Sequence, residues 1–464
     1  MLAKNTDTSD STRSIVLCMV LLNAFATPLM LSATNVALPA MAQDLHLSAI
    51  ELSWVPMAYL MACAMSVLLF GNLADRFGRK RIFLIGTAAV IVTSTIGAFS
   101  INGTMLIAAR FFQGIASAML YATQIAIVTS AYPAHKRGKV LGIVVSIIYV
   151  GLSVGPLVGG YLIDIFGWQA SFLMQVPLAL VVLFMGVFMV HVEWRSDKET
   201  SFDFFGAICF SIGICLFCLA VSQIPQPRGL GLLLVSFVVM AWFVRHSLKT
   251  QNPFWDVGLF FSNRVFAFSN GASLIMYCAT YSNIVLLSLY LQYLKGLPAT
   301  TTGLLLMVQP LFMAILAPFT GRMSDRMEPR LLSSSGMAVT AVGLFLMATL
   351  NQESSTAIII VTLAITGTGF SLFTPPNVNA IMGSVDSKDA GSASSAMSTI
   401  RLIGQLSSMV IVSLMLSVFV GASVIDESNL DSLEHAIRNS FLLATILCIP
   451  GVALSLARGS IHRK

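Results

Sequence analysis

Apolar runs long enough to cross a lipid bilayer recur along nearly the whole chain, and no other feature constrains the fold as strongly. A helix needs about 20 apolar residues to cross the hydrocarbon core. Only 10% of the 464 residues are charged, and the mean hydropathy is +0.86. Soluble domains carry about 25% charged residues, and no stretch between the runs could build a water-soluble core. The sequence therefore predicts an all-α membrane protein.

The apolar windows, read against the turn residues between them, predict fourteen membrane-spanning helices. We place them at 15–38, 52–69, 82–99, 105–130, 140–163, 171–190, 204–222, 230–244, 266–291, 303–319, 331–350, 356–381, 392–420 and 439–456. The polar N-terminal stretch has no small-residue cleavage site, so the first span is expected to stay in the protein. All seven cysteines fall inside predicted spans. We interpret them as packing residues, not as disulfides or metal ligands.

Lysines and arginines indicate the orientation of the bundle. An even number of spans puts both termini on one side of the membrane. With both termini in the cytoplasm, the basic loop residues gather on the cytoplasmic side and leave only Arg228, Lys295 and Arg438 outside. The predicted location is a bacterial cytoplasmic (inner) membrane, with the lipid bilayer as a partner. The net charge of +6 follows from this topology, so we expect no nucleic-acid partner, and no obligate protein partner is evident.

Two stretches of the chain repeat one another. Residues 71–81, GNLADRFGRKR, and residues 321–330, GRMSDRMEPR, share Gly, Asp and Arg at equal offsets, each after the second span of its half. This pattern is typical of a transporter built from two similar bundles, with substrate bound between them. The predicted division is a tail at 1–14, a six-helix bundle at 15–190, a linker at 191–203, an inserted two-helix hairpin at 204–246, a linker at 247–265, a second six-helix bundle at 266–457 and a tail at 458–464.

The loop after the second span carries a motif through which the sequence resembles the major facilitator superfamily, specifically its fourteen-span drug:proton antiporter branch. The matching residues are Gly71, Asp75, Arg76, Gly78, Arg79 and Lys80. The resemblance implies a gating role, in which this cluster latches the outward-open state. Asp75 and Arg79 would lie one helical turn apart and could pair. The other interpretation is a positively charged loop that only sets topology.

The fifth span contains GLSVGPLVGG, which fits the antiporter motif of that family at Gly151, Gly155, Pro156, Gly159 and Gly160. Glycines allow close helix approach and proline bends a span, as ordinary packing would also require. Stretches at 107–119, 262–268, 375–380 and 399–405 also resemble the branch, so the resemblance covers nearly the full chain. It implies two six-helix bundles plus two inserted central helices (14 transmembrane helices), no enzymatic activity, no cofactor and a proton gradient as the energy source. The sequence has no GxxxxGK[ST] loop for ATP.

Arg110 lies inside the fourth span, where a charge in hydrocarbon costs from roughly 3 to more than 10 kcal/mol. The family commonly has an aspartate shortly before the NVALP run of the first span, but Met30 stands there in this chain. We nominate Arg110, Asp164 and Arg401 as coupling or charge-relay candidates. Arg110 either reaches the outer surface and Asp164, or faces a central cavity together with Arg401. In the second case the positive bias favours anionic or zwitterionic substrates.

Neutral polar side chains within or near the spans are candidates for a substrate cavity, since rings with a few hydrogen-bonding groups suit amphipathic ligands. They are Asn35, Gln113, Tyr121, Gln124, Tyr149, Tyr277, Asn283, Gln309 and Asn377. Each is equally explained by helix packing, and no catalytic or metal-binding residue is expected. The predicted function is export of small amphipathic compounds (multidrug efflux) by proton antiport and alternating access. The alternatives are an exporter of a specific anionic or zwitterionic metabolite, a facilitator without proton coupling and, more remotely, a non-transporting membrane sensor.

Overall fold

The computed structural model describes residues 10–195, 203–224, 226–251, 253–324, 326–386 and 390–459. Within these ranges, fourteen helices are long and apolar enough to cross a membrane. In chain order they are α1 (Asp10–Asp44), α2 (Ala49–Phe77), α3 (Arg79–Ala98), α4 (Gly103–Ala131), α5 (Ala134–Phe166), α6 (Ala170–Met189), α7 (Phe204–Ser222), α8 (Pro227–Ser247), α9 (Arg264–Leu294), α10 (Ala299–Ser324), α11 (Pro329–Met347), α12 (Thr356–Gly383), α13 (Ala390–Phe419) and α14 (Leu430–Ala457).

Local sequence signals explain where several helices begin and end. Ser48 and Glu51 form a capping box at the start of α2, in which the Glu51 carboxylate accepts the Ser48 backbone N–H at 2.9 Å. Asn102 caps α4 by accepting the N–H of Met105 at 2.8 Å. Gly78 separates α2 from α3 with a φ of 112°, a backbone conformation that favours glycine. The chain can therefore turn sharply inside the gating motif.

The observed helices extend beyond several predicted spans. Helix α1 begins at Asp10 and so includes part of the predicted tail at 1–14. Helix α14 begins at Leu430, nine residues before the predicted start, because a polar first stretch extends it beyond the apolar window. Arg458, the first residue of the predicted tail at 458–464, follows α14 directly and has a side chain that is 1% exposed. The parts of the predicted tails and linkers at 1–9, 196–202 and 460–464 lie outside the described residues, and the domain division stays a prediction.

The helices form two bundles and an inserted pair, which confirms the predicted fold class. In the first bundle α1 packs on α5, and α2 and α3 pack on α4. In the second bundle α10 and α11 pack on α12, while α9 contacts α13 and α14. The inserted helices α7 and α8 pack on each other, and α7 also contacts α2 and α13. The hairpin therefore lies beside a junction of the two halves.

Helix α9 is interrupted near its middle, between Thr280 and Asn283. The backbone N–H of Ser282 donates to the Ser408 hydroxyl of α13 at 3.0 Å, which replaces a helical hydrogen bond. Irregular backbone within a span is tolerated where other groups satisfy it, and discontinuous helices commonly contribute to transporter binding sites.

The two halves are joined asymmetrically. We call the side with the start of α1 and the end of α14 the terminal face, and the opposite side the distal face. On the distal face the Val36 carbonyl accepts from Gln292 Nε2 at 2.9 Å, and the Ala49 N–H donates to the Ser423 carbonyl at 2.9 Å. One apolar cluster includes residues of both halves, whereas two clusters towards the terminal face each belong to a single half. Among the described residues, these hydrogen bonds between the halves lie at the distal face, whereas each apolar cluster towards the terminal face stays within one half.

Candidate functional site

Arg110 of α4 is fully buried, with 0% exposure, and its hydrogen-bond partners among the described residues are neutral. Its Nε donates to the Val55 carbonyl at 3.2 Å, and its Nη1 donates to Gln113 Oε1 at 2.6 Å. The guanidinium carbon lies 4.4 Å from the centroid of the Tyr59 ring, a cation–π geometry. Nη2 is buried without a hydrogen-bond partner among the described residues. Backbone, amide and ring therefore take the place of a counter-ion.

Met30 occupies the position where the family commonly has an acid. Its Sδ lies 3.7 Å from Arg110 Nη1 and 3.9 Å from Gln113 Nε2. Gln113 Nε2 also donates to the Ser94 hydroxyl of α3 at 2.8 Å. Because Arg110 is enclosed by α1, α2, α3 and α4, the predicted route to the outer surface is wrong.

Asp164, the predicted outer partner of Arg110, instead connects α5 to the first turn of α10. Its carboxylate accepts the backbone N–H of Ala299 at 3.2 Å, the N–H of Thr300 at 2.8 Å and the Thr300 hydroxyl at 2.5 Å. The first N–H groups of a helix lack intrahelical partners and favour negative charge. We call this cluster the distal latch, because it joins the two halves at the distal face.

The predicted antiporter motif lies next to this latch. Cβ atoms added at Gly151, Gly155 or Gly159 would collide with α1. A Cβ at Gly160 would lie 2.2 Å from the Ala299 carbonyl oxygen, and a Cβ at Gly303 would lie 2.0 Å from that of Pro156. Helices α5 and α10 therefore touch through their backbones, as small residues at a membrane interface allow. The role of the motif in export stays a prediction.

Arg401 of α13 differs from Arg110 in its exposure. Its side chain is only partly buried, and its guanidinium lies beside the Tyr277 hydroxyl of α9. Tyr149 of α5 and Tyr121 of α4 are within electrostatic range, so residues of both halves face it. No ion pair of Arg401 occurs within the ranges that the structure describes.

Five of the nine tyrosines surround the two arginines. The hydroxyls of Tyr59 and Tyr121 are 3.4 Å apart, and the ring of Tyr277 meets that of Phe370 edge-on at 5.6 Å between centroids. We call the following residues the tyrosine cluster: Tyr59, Tyr121, Tyr149, Tyr277 and Tyr281. The cluster provides apolar ring surface and neutral hydroxyls at the junction of the halves.

Asn283, which follows the break in α9, has both amide atoms buried without a hydrogen-bond partner among the described residues. Asn35 Oδ1 of α1 has no partner within 3.5 Å, but the Tyr281 hydroxyl lies close enough to interact with the Asn35 side chain. A buried polar group left unpaired costs roughly 1–3 kcal/mol. A bound polar ligand could satisfy the amide atoms of Asn283.

Other cavity candidates bond within their own half. Gln124 accepts from Asn23 Nδ2 at 2.9 Å, and Asn377 donates to the Ser273 hydroxyl at 2.8 Å. Gln309 is partly buried on α10, with its carbonyl oxygen close to Gly367 of α12. Their place in a substrate cavity stays a prediction.

Sequence reasoning missed Arg458, which it assigned to a tail. Its guanidinium donates to Asn377 Oδ1 at 2.7 Å and to the hydroxyls of Ser269 and Ser333 at 3.3 Å each. It therefore connects the end of α14 to α9, α11 and α12. The signal in the sequence was an arginine that directly follows an apolar run and precedes a glycine, Gly459. In the structure this glycine has a φ of 99°.

The gating motif is bonded within the first half. The expected pair is present, with Arg79 Nη2 2.7 Å from Asp75 Oδ1, and Arg79 Nη1 donates to the Ser130 hydroxyl at 2.6 Å. Sequence reasoning also missed Glu193, which follows α6 and accepts the Lys80 backbone N–H at 2.9 Å. The Lys80 ammonium donates to the Val190 carbonyl. The segment after α6 thus holds the start of α3, while the gating role stays a prediction.

Comparison with known proteins agrees with this architecture. The family model of the Major Facilitator Superfamily matches residues 20–405 and 270–461. A bacterial homologue of the human lysosomal transporter Spinster, in an inward-facing and unoccupied conformation, superposes with a TM-score of 0.69 at 14% identity, covering 97% of this chain and 98% of that one. The chain belongs to the Major Facilitator Superfamily and is a multi-pass membrane transporter.

Similar proteins indicate the branch of the superfamily to which the chain belongs. The riboflavin transporter RibZ of Clostridioides difficile is 30% identical, over 83% of this chain and 84% of that protein. The multidrug resistance protein Stp of Mycobacterium tuberculosis is 28% identical, over 84% and 73%. The multidrug efflux pump LfrA of Mycolicibacterium smegmatis is 28% identical, over 86% and 80%. Within the superfamily, the chain is a transporter of the drug-efflux branch.

Proposed function

We propose that the protein exports small amphipathic compounds from a bacterial cytoplasm by alternating access, in exchange for protons. The observation that carries the proposal is the one-sided closure, with hydrogen bonds between the halves at the distal face and separate apolar clusters towards the terminal face. An added Cβ on Gly142, near the start of α5, meets nothing within 4 Å, in contrast to Gly160 near its end. The start of α5 therefore has open space at Gly142, whereas its end at Gly160 is in contact with α10.

Basic residues support the orientation of this state. The terminal face carries the basic gating loop and Arg322, Arg326 and Arg330 around the loop from α10 to α11. Such residues favour the cytoplasmic side. In this orientation the structure is open to the cytoplasm, so substrate reaches the tyrosine cluster from inside. Release then requires the distal face to open, which breaks the distal latch.

Asp164 is our candidate for the acid that couples this opening to protons. Its carboxylate accepts three hydrogen bonds from α10, and a protonated carboxyl group accepts them less well. Loss of the negative charge would therefore favour separation of α5 from α10. Opening of the distal face, which substrate release requires, would in this way depend on the charge of Asp164.

The test uses purified protein in proteoliposomes with an imposed pH gradient and amphipathic dyes. The gradient should drive dye export by the wild type, and Asp164→Asn should uncouple dye movement from the gradient. The matched control is Asp44→Asn, since Asp44 also lies at the distal face but accepts from Trp168 of its own half at 2.7 Å. Dye movement that ignores the gradient in the wild type contradicts antiport. Intact coupling in Asp164→Asn removes this acid from the mechanism.

A second candidate is transport of one specific metabolite. Two observations favour it: Met30 stands in place of the first-helix acid, and a relative is named as a riboflavin transporter. Competition separates the two functions. Riboflavin that blocks dye export at micromolar concentration supports a specific flavin-like substrate, whereas equal inhibition by many unrelated compounds supports multidrug export.

A further inference from the structure

We propose that the site between the halves prefers planar aromatic anions, and that Arg401 binds their negative group. This inference deepens the proposed transport function and rests on it. The sequence left Arg110 and Arg401 as equal candidates for a positively biased cavity, and the structure distinguishes them.

Arg110 is unsuited to ligand binding in this state. Its guanidinium is enclosed by the Val55 carbonyl, Gln113, Met30 and the Tyr59 ring, with 0% exposure. An anion could reach it only by displacing these contacts. Arg401 is partly exposed, and the Tyr277 hydroxyl lies close enough to accept a hydrogen bond from its guanidinium. A ligand can therefore approach Arg401 without breaking an ion pair.

No carboxylate of the described residues lies within 4.0 Å of the Arg401 guanidinium, whose neighbours include tyrosines of both bundles. These tyrosines, and the thiol of Cys63 on α2, are neutral at pH 7 in their ordinary form. Tyr121 lies near both Arg401 and Arg110, so two positive charges act on this region. An anion gains Coulomb energy there, and a cation loses it.

Ring geometry favours a flat ligand. Tyr277 and Phe370 meet edge-on, and aromatic rings favour contact with a further aromatic group. Tyr149 of the first half lies within electrostatic range of both Tyr277 and Arg401, so rings of both bundles lie near this arginine. The buried amide atoms of Asn283, which have no hydrogen-bond partner among the described residues, could bind the neutral polar edge of a flat ligand. Together these groups match a planar aromatic body with one acidic substituent.

The experiment uses two dyes that share the xanthene skeleton and differ in charge, fluorescein (an anion) and rhodamine 123 (a cation). Fluorescence anisotropy with the purified full chain in micelles gives both Kd values. We expect fluorescein to bind at least about 10-fold more tightly, since charged hydrogen bonds contribute roughly 10- to 100-fold in affinity. Arg401→Gln should weaken fluorescein binding by a similar factor and leave rhodamine 123 unchanged or tighter.

Two further variants keep the result interpretable. Arg401→Lys keeps the charge and should retain most of the preference, and Arg438→Gln removes an exposed arginine of α14 and should change neither Kd. Equal binding of both dyes by the wild type, binding of neither, or an unchanged Kd ratio in a folded Arg401→Gln overturns the inference.

Transport measurements separate this inference from the proposed function. If proteoliposomes export fluorescein equally with wild type and Arg401→Gln, the export function stands and the anion site is wrong. If fluorescein binds through Arg401 but no dye crosses the membrane, the site stands and the transport function is wrong.

Discussion

Replacing Met30 by aspartate is expected to restore the ion pair that this chain lacks. Met Sδ and Asp Oδ are the same number of bonds from Cα, so the introduced carboxylate would lie close to the sulfur position. That position is 3.7 Å from Arg110 Nη1. At this separation two unit charges attract by about 4 kcal/mol with an effective dielectric constant near 20.

Burial of the new carboxylate opposes this attraction by several kcal/mol. In the wild-type background, Met30→Asp should therefore change the free energy of unfolding by only about 1–2 kcal/mol in either direction. In an Arg110→Gln background the carboxylate is buried without a cation, and the same substitution should destabilise by roughly 3–5 kcal/mol. The expected coupling energy, which is the difference between these two effects, is about 1–7 kcal/mol.

The assay is a double-mutant cycle, with denaturant unfolding of the four purified proteins in the same micelles. Met30→Asn provides the matched control, because it has the shape of aspartate without the charge. Its coupling to Arg110→Gln should be smaller than that of the aspartate, because an amide oxygen can accept from the guanidinium but carries no charge. Equal coupling for the aspartate and asparagine variants, or coupling under about 0.5 kcal/mol for aspartate, would refute the interpretation of Arg110 as a buried cation held by neutral groups.

Three further substitutions test other contacts. Gly303→Ala places a Cβ against a backbone oxygen of α5 and should open the distal face, which faster labelling of cysteines introduced there would show. Gly142→Ala is the control and should not change the labelling rate, because its Cβ enters open space. Arg458→Gln should destabilise by about 2–4 kcal/mol in denaturant unfolding, because it leaves buried polar partners unpaired, and the exposed Arg438→Gln should change little. Burial alone would raise the pKa of Asp203, but hydrogen bonds from the Gly206 N–H, the His246 ring and the Phe254 N–H lower it. Its contribution to stability should therefore be complete above pH 4 and be lost as pH falls through the lowered pKa, and Asp203→Asn should remove this pH dependence of unfolding.

The fold was predictable from the sequence because apolar length alone decides which segments can cross a membrane. The repeated loop motif and the basic residues then indicated two bundles and their shared orientation. Helix ends were less predictable, since α14 extends through polar residues that hydropathy excludes. The difference in burial between Arg110 and Arg401 could not be predicted from the sequence. It depends on which side chains of α1 and α2 face α4, and periodicity does not specify such contacts between helices.

The contacts of Asp164 also could not be predicted from the sequence. Sequence reasoning placed it near Arg110 because both lie towards the outer ends of adjacent spans. The structure shows that its carboxylate is occupied by the start of α10, a helix 135 residues later in the chain. A negative charge at a helix N-terminus needs no basic side chain, because backbone N–H groups supply the donors. The two charges that the sequence placed together are therefore apart: the Asp164 carboxylate bonds α5 to the start of α10 at the distal face, while Arg110 is buried inside the first bundle among neutral groups.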